Sequence, residues 1–299
     1  MNKNKPAKKL GFSLIELSVV ILIIGILVIG VTKGKKVLDS AKLASAKSLT
    51  TNSPVPTIDG LVMWLETSLP NSFLTSEIKN DGAISQWNDN IGYSIKNPNN
   101  VAQNTPSKRP TYAVNAINNL PALKFNASLS QYLQNLTLRI NSAQLEVFIV
   151  AKRISILSGN PSVAVFLKNN GSDDYGTTKS FVLTHEDHAG AGTMQVYRAA
   201  QKSTVAVAPA NGTAYIYSTK FDGTNNTVYL NGVARPSVGS NENFDIERVI
   251  IGARFYSGAI QVPWNGYLAE LIVFNRSLST QEHKDVEEYL SNKYAITLQ

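Results

Sequence analysis

Hydrophobic and polar positions divide the chain into two parts with different patterns. Residues 18–31 form a nearly continuous apolar run, and Glu16 is the one charged side chain within residues 10–32. A helix needs about 20 apolar residues to cross the hydrocarbon core of a membrane. The pattern therefore predicts a membrane-spanning helix, which extends over residues 12–50 and stops at the proline-containing segment 52–56.

From Ile58 onward, short β-branched and aromatic runs alternate with turn residues. Many short strands without interleaved helices are typical of an all-β sandwich. Asn231 and Gly232 favour a type I′ hairpin turn, because both residues accept positive φ angles. The predicted strands are Leu61–Leu65, Leu120–Phe125, Leu145–Arg153, Ser162–Leu167, Phe181–Thr184, Ala214–Phe221, Thr227–Leu230, Arg248–Ile251 and Tyr267–Phe274.

A short helix is predicted near the C-terminal end. Ser279 and Glu282 have the spacing of a capping box, and they precede apolar positions that include Val286 and Leu290. The segment 58–299 shows no internal repeat and no break in composition. We therefore expect it to form a single domain, which is called the head below.

The positive charge of the chain is concentrated near its N-terminus. The formal net charge is +7, and residues 1–50 hold nine lysines against two acidic side chains. The remainder of the chain is balanced in charge, so it offers no surface for phosphate groups, and nucleic acid is not an expected partner. The basic N-terminus instead orients a membrane segment. Since cysteine is absent, thiol catalysis and thiolate metal sites are excluded.

Two simpler interpretations of the N-terminus compete with a specialised one. An ordinary secretory signal would be cut after small residues, and Ala44-Ser45-Ala46 is such a site, but it lies well beyond the apolar run and behind several lysines. A plain signal anchor would leave Glu16 unexplained, because an acidic side chain in a membrane helix costs roughly 2.5 to 3.5 kcal/mol.

The N-terminal residues resemble those of the type IV prepilin family. The run Gly11-Phe12-Ser13-Leu14-Ile15-Glu16 matches its cleavage and methylation motif, between a basic leader and the apolar run. The resemblance implies cleavage after Gly11 by a prepilin peptidase, N-methylation of Phe12, and assembly with other pilin subunits through the helix. Glu16 would then pair with the N-terminal amine of a neighbouring subunit, since neither charge is stable alone in an apolar filament core.

The head resembles the laminin-G-like, concanavalin A-type jelly roll. The resemblance lies in the runs Gly60–Glu66, Ile84–Asp89, Arg109–Tyr112 with Leu120–Phe125, and Trp264–Asn275 followed by the capped helix. Together, the two resemblances imply a basic leader at 1–11, a pilin helix at 12–50, a linker at 51–57 and a jelly-roll head at 58–299. Such a sandwich hosts lectins, adhesins, enzymes and spacers, so the ligand does not follow from the fold.

Candidate binding residues are few and lie in polar segments of the head. His185, Glu186, Asp187 and His188, with Asp173 and Asp174 upstream, form the densest group of metal-ligand types, and their carboxylates suit calcium. A solvated loop before Ala189–Gly192 is the favoured reading. Asp222 and Asn225 also offer oxygens, but their sequence is turn chemistry first. No cofactor is predicted, and the loop at Asp173–His188 is the first candidate for a recognition surface.

Catalysis is not predicted. The chain has no paired carboxylates of the Glu-x-Asp-x-x-Glu type, and Glu146 and Glu270 stand alone on separate predicted strands. The three tryptophans, Trp64, Trp87 and Trp264, fall in the segments that carry the fold resemblance, so packing is a better explanation for them than sugar stacking.

The expected function is that of a minor, type IV pilin-like filament subunit that displays a jelly-roll domain for adhesion to glycan or protein surfaces. The expected location is the bacterial inner membrane with the head outside the cytoplasm, and then the pilus at the cell surface. A pseudopilin of a type II secretion system, in a periplasmic pseudopilus, is one alternative. A membrane-anchored glycan-processing enzyme is another.

Overall fold

The computed structural model describes a helix followed by a β-rich body. The described residues are 14–91, 99–155, 162–169, 180–186, 193–198, 201–205, 209–236, 238–239, 243–256 and 258–299. The chain divides into two compact units, of which the first ends at Lys42 and the second covers Leu43–Gln299.

Helix α1 covers Leu14–Thr51. In the first unit, the described side chains from Leu17 to Ile24 are exposed although they are almost all apolar. At the other end of α1 the hydroxyl of Thr50 donates to the carbonyl of Ala46, 2.8 Å away, and a 3₁₀ turn at Val55–Thr57 follows. Among the residues that the structure describes, no helix is both long and apolar enough to cross a membrane. The membrane-spanning segment stays a prediction.

The described part of the head contains 22 strands and a second helix, α2, at Thr280–Tyr294. The strands are β1 (Leu61–Glu66), β2 (Gly82–Ala83), β3 (Gln86–Trp87), β4 (Val101–Ala102), β5 (Thr111–Ile117), β6 (Leu120–Phe125), β7 (Leu133–Asn135), β8 (Ile140–Ser142), β9 (Leu145–Arg153), β10 (Ser162–Lys168), β11 (Phe181–Glu186), β12 (Thr193–Arg198), β13 (Gln201–Val205), β14 (Ala214–Phe221), β15 (Asn225–Leu230), β16 (Val233–Ala234), β17 (Val238–Gly239), β18 (Phe244–Ile246), β19 (Arg248–Ile251), β20 (Arg254–Tyr256), β21 (Ala259–Gln261) and β22 (Gly266–Phe274).

Two large antiparallel sheets form the sandwich. The first runs in the order β16-β15-β14-β9-β22-β6-β5-β2, with β1 also paired to β22 and β17 paired to β15. The second runs in the order β13-β12-β11-β10-β19-β7-β4-β3. The predicted hairpin is present, because Asn231 and Gly232 have φ angles of 49° and 83° and lie between the paired residues Leu230 and Val233. The all-β sandwich predicted for the head is thus confirmed.

Alternation along β9 shows how the sequence makes this architecture. Leu145, Val147 and Ile149 belong to the core between the two sheets, whereas Phe148 and Val150 belong to a second apolar cluster on the outer face of the first sheet. Successive side chains of a strand point to opposite faces. Since both faces of β9 are apolar, the outer face also has to be covered.

Helix α2 covers that outer face. The predicted capping box at its start is present, with Ser279 and Glu282 bonded to each other's backbone N–H groups. Val286 and Leu290, which are fully buried, pack in the outer cluster together with Ala46 from the last part of α1. The polar residues of α2 that face the sheet are therefore placed over the start of β9, at Glu146, and over the middle of β22, at Glu270.

Candidate functional site

The predicted processing residues lie at or beyond the edge of the described structure. Gly11 and Phe12 lie outside the described residues. Glu16 belongs to the first turn of α1, which begins at Leu14. Cleavage after Gly11, methylation of Phe12 and pairing of Glu16 therefore stay predictions.

The predicted metal-ligand group is split by a strand. Asp173, Asp174, Asp187 and His188 lie outside the described residues, whereas His185 and Glu186 are the last two residues of β11 and not part of a loop. Their backbone partners are Ser162, Met194 and Thr193 in β10 and β12. A metal site formed by this group stays a prediction.

Asp222 and Asn225 form a tight turn between β14 and β15. The Asp222 carboxylate accepts hydrogen bonds from the backbone N–H groups of Thr224 and Asn225, at 2.8 and 2.7 Å. Burial works against ionisation, but these hydrogen bonds outweigh it and lower the pKa of Asp222. Among the described residues, no group of three or more histidine or acidic side chains is arranged to hold a metal ion.

A cluster centred on His283 joins α2 to the outer face of the first sheet. The Nδ1 atom of His283 lies 2.5 Å from the Glu146 carboxylate, and its Nε2 atom lies 3.4 Å from Oε1 of Glu287. The Ser218 hydroxyl donates to the same Glu287 oxygen, and the backbone N–H of Leu278 donates to Glu146. His283 and Glu287 share a helix face because they are four residues apart, and Glu146 meets them because it points outward between apolar neighbours on β9.

The charges of this cluster change the acidity of the imidazole. Burial alone would lower the pKa of His283, but the hydrogen bond with Glu146 and the negative charges of Glu146 and Glu287 outweigh burial and raise it to about 9. His283 is therefore a cation at neutral pH, held between two carboxylates and only 6% exposed.

An open cleft of about 330 Å³ lies against this cluster. Its walls come from three parts of the head: the first two turns of α2, strands β14 and β15, and the segment after α2. The ring of Tyr229 packs beside the imidazole of His283, with 4.4 Å between the ring centroids. The lining residues are Lys220, Tyr229, Gly232, Thr280, His283, Lys284, Glu287, Glu288, Leu298 and Gln299.

The raised pKa of His283 predicts a pH-dependent stability. An unfolded histidine has a pKa of about 6.5, so the contribution of His283 is complete below that pH and is lost as the pH rises through 9. We expect the free energy of unfolding to fall by about 2 to 3 kcal/mol between pH 6.5 and 9.5. Denaturant titrations followed by tryptophan fluorescence measure it. In a His283→Gln control, which cannot titrate, this decrease should be absent, and an equal decrease in both proteins would contradict the assignment.

A second buried cluster lies at the other end of α2. The Lys293 ammonium is 3.0 Å from Glu66 and 2.8 Å from Glu270, and all three side chains are almost completely buried. Burial opposes the charge of Lys293, but the two carboxylates outweigh it and keep the pKa of Lys293 well above its usual value. Burial likewise opposes ionisation of Glu66, and Lys293 with the hydrogen bonds around Glu66 still lowers its pKa.

Hydrogen bonds complete this second cluster. Each carboxylate accepts several donors besides Lys293: Ser68, Leu69 and Ser72 donate to Glu66, and Trp64, Tyr289 and Tyr294 donate to Glu270. The Tyr289 hydroxyl also lies 3.3 Å from the hydroxyl of Thr50, in the last turn of α1. A closed, fully bonded network of this kind fixes structure, whereas the His283 cluster borders an open cleft.

Neither cluster was found from the sequence, although a signal existed. The sequence pattern shows Glu146 and Glu270 as isolated acids on separate strands, whereas the structure gives each of them a cationic partner on α2. A buried charge is stable only when it is paired, so each acid inside an apolar strand requires a partner. His283 and Lys293 are the cations of α2 that lie three residues from the buried Val286 and Leu290, on the helix face that packs on the sheet. The three tryptophans are buried, as expected, with exposures of 4% or less.

The N-terminal motif is confirmed by comparison with known families. Residues 6–32 match the family described as the prokaryotic N-terminal methylation motif. No protein of curated function matches the sequence.

The fold of the head occurs in solved structures of other proteins. The receptor binding domain of botulinum neurotoxin type G is similar, with a TM-score of 0.50 and 11% identity over 78% of this chain and 52% of that chain. Domain 4 of AbnA, an extracellular GH43 arabinanase from Geobacillus stearothermophilus solved with arabinotriose, gives a TM-score of 0.49 at 15% identity over 78% of this chain and 98% of that chain. At such identities the likeness shows the fold alone.

Proposed function

We propose that this protein is a type IV pilin-like filament subunit whose head, a laminin-G-like sandwich, is displayed for adhesion. The observation that carries the proposal is the prepilin-type motif within residues 6–32. The motif stands at the start of a helix that continues to Thr51. A large folded head on an assembly helix is suited to display, because loops and faces of a rigid sandwich can carry contacts.

The contacts of Thr50 support a firm connection between the assembly helix and the head. Thr50 is fully buried and lies within hydrogen-bonding distance of Ser68 and Tyr289, two residues of the head. The last turn of α1 is thus part of the packed body and not a loose tether.

The proposed life cycle has two stages. The chain is first held at the bacterial inner membrane by its N-terminal segment, where a prepilin peptidase cuts after Gly11 and the new N-terminus at Phe12 is methylated. It then enters a filament with other pilin subunits. A pseudopilus of a type II secretion system would use the same N-terminus, and detection of the head outside intact cells distinguishes surface display from that alternative.

We propose a binding role for the head and no catalytic one. Glu146 and Glu270 lie on the adjacent strands β9 and β22, but each is engaged by its own partner on α2. An assay of the purified protein on mixed polysaccharides tests the alternative of a glycan-processing enzyme. A calcium requirement would appear as a thermal shift that a chelator removes.

Replacing Glu16 with valine tests the filament function. The Glu16→Val protein should still be cut and methylated at Phe12, while its share in sheared filaments should fall at least tenfold, because the N-terminal amine loses its only proposed partner in an apolar surrounding. Intact mass and immunoblots of filament and membrane fractions measure the two effects.

The matched control is Asp39→Val, which removes an acidic side chain of the same helix outside the matched motif. It should enter filaments like the unmodified protein. Normal incorporation of Glu16→Val would rule out the proposed role of this carboxylate, and an N-terminus at Met1 or Lys47 would rule out prepilin processing.

A further inference from the structure

The cleft beside α2 has the dimensions of a site for a small ring. Its volume of about 330 Å³ is near the lower end of the range for small-ligand pockets. It is built from regular elements, since its walls include α2 and the outward-facing residues Lys220 and Tyr229 of β14 and β15. Such elements hold side chains more precisely than loops do.

The charges of the lining residues favour a neutral ligand. Lys284 and Glu288 are exposed on α2, and His283 and Glu287 are buried beneath them. An anion would meet the two glutamates, and a cation would meet Lys220, Lys284 and the charged imidazole. A hydroxyl group both donates and accepts hydrogen bonds. A neutral ring with several hydroxyls can therefore bond to the acidic and to the basic side chains of the cleft.

The buried imidazole supplies an independent sign of a missing ligand atom. The Nε2 atom of His283 makes no hydrogen bond. The carboxylate oxygen that faces it, Oε1 of Glu287, lies 3.4 Å away. His283 is 94% buried and lines the cleft. A buried donor without an acceptor costs about 1 to 3 kcal/mol, and an oxygen placed in the cleft would relieve this cost.

The cleft also offers apolar surface to a ligand. The half-buried ring of Tyr229 and the side chain of Leu298 line the same cleft. A sugar ring presents C–H groups on its faces and hydroxyls at its edge, so an aromatic or aliphatic wall beside polar groups suits it.

We propose that this cleft binds one sugar residue of a neutral glycan. Tyr229 and Leu298 contact the apolar face of the ring, Nε2 of His283 donates to a ring hydroxyl, and the ammonium of Lys284 donates to a second one. The inference rests on the proposed role of the head as an adhesive module and assigns recognition to helix and strand residues, not to the loops at Asp173–His188 or Asp222–Asn225.

The test uses the full-length protein and the methyl glycosides of glucose, galactose, mannose and N-acetylglucosamine. Saturation-transfer NMR and calorimetric titration should detect saturable binding of at least one of them. Tyr229→Ala and Lys284→Ala should each weaken that binding about tenfold, while Tyr256→Ala, which removes a more exposed tyrosine from β20, should leave it unchanged. Cooperative unfolding by tryptophan fluorescence verifies that each variant is folded.

Absence of binding to all four glycosides would overturn the proposal, and so would binding that both Tyr229→Ala and Lys284→Ala leave intact. If Tyr229→Ala fails to fold, the exposed Lys284 still decides. Filament incorporation is measured separately through Glu16→Val. A protein that enters filaments but binds no glycoside would contradict the sugar site alone, whereas one that binds a glycoside and is never found in filaments would contradict the filament function alone.

Discussion

Replacing Lys293 with methionine should lower the free energy of unfolding of the head by about 3 to 5 kcal/mol. The ammonium is fully buried between Glu66 and Glu270. Methionine matches the length of the lysine stem, so the main change is the loss of the charge. Two buried carboxylates would then remain without a cation. Removing one partner of a buried ion pair costs more than replacing the whole pair, because an uncompensated charge stays buried.

The pH dependence of this variant separates a charge effect from a packing effect. In the unmodified protein the pKa of Glu66 is lowered, so its contribution is present above about pH 4.3 and is lost as the pH falls. Without Lys293 the burial of Glu66 is no longer outweighed by a cation, which raises its pKa, and acid should then relieve part of the destabilisation. The stability difference between the two proteins should therefore shrink toward pH 4.

Tryptophan fluorescence is a suitable measurement, because Trp64, Trp87 and Trp264 are all buried in the head. Lys284→Met is the matched control, since Lys284 lies exposed on the same helix, and its effect should stay within about 0.5 kcal/mol. A loss of less than 1 kcal/mol for Lys293→Met, or a loss independent of pH, would show that the buried ion pairs do not hold α2 in place.

The pattern of the sequence predicted the local elements of the head well. Strands β9 and β22 are apolar along most of their length, and the pattern predicts the ends of both strands to within one residue. The capping box at Ser279 predicts the start of α2. By contrast, β12 and β13, at Thr193–Arg198 and Gln201–Val205, were not predicted. Their polar residues resemble loop composition, and their pairing with each other and with β11 depends on contacts that no local pattern expresses.

The candidate site was less predictable, for a physical reason. Its side chains come from β9, from β14 and β15, and from α2, so the residues that meet, such as Glu146 and His283, are more than a hundred positions apart in the sequence. Local clustering instead drew attention to His185 and Glu186, which the structure places at the end of a strand. Density of ligand-type residues along the chain is a weak guide when the site is assembled by tertiary packing.

Gly252→Ala should destabilise the head by about 3 kcal/mol or more, for two separable reasons. Gly252 has a φ angle of +86°, where a side chain costs roughly 1 to 2 kcal/mol. A Cβ atom there would also lie 2.3 Å from the ring of Phe125, which is fully buried in the core between the sheets. Overpacking of a filled core adds about 1 to 3 kcal/mol.

Gly212→Ala isolates the first reason, which is backbone strain. Gly212 has a similar φ angle of +78°, but a Cβ atom there would meet nothing within 4 Å. This control should therefore lose about 1 to 2 kcal/mol, from backbone strain alone. Combining Gly252→Ala with Phe125→Leu should cost less than the sum of the two single changes, because the smaller side chain leaves room for the methyl group. Equal losses for Gly252→Ala and Gly212→Ala, or strict additivity with Phe125→Leu, would show that close contact with Phe125 does not require glycine at this position.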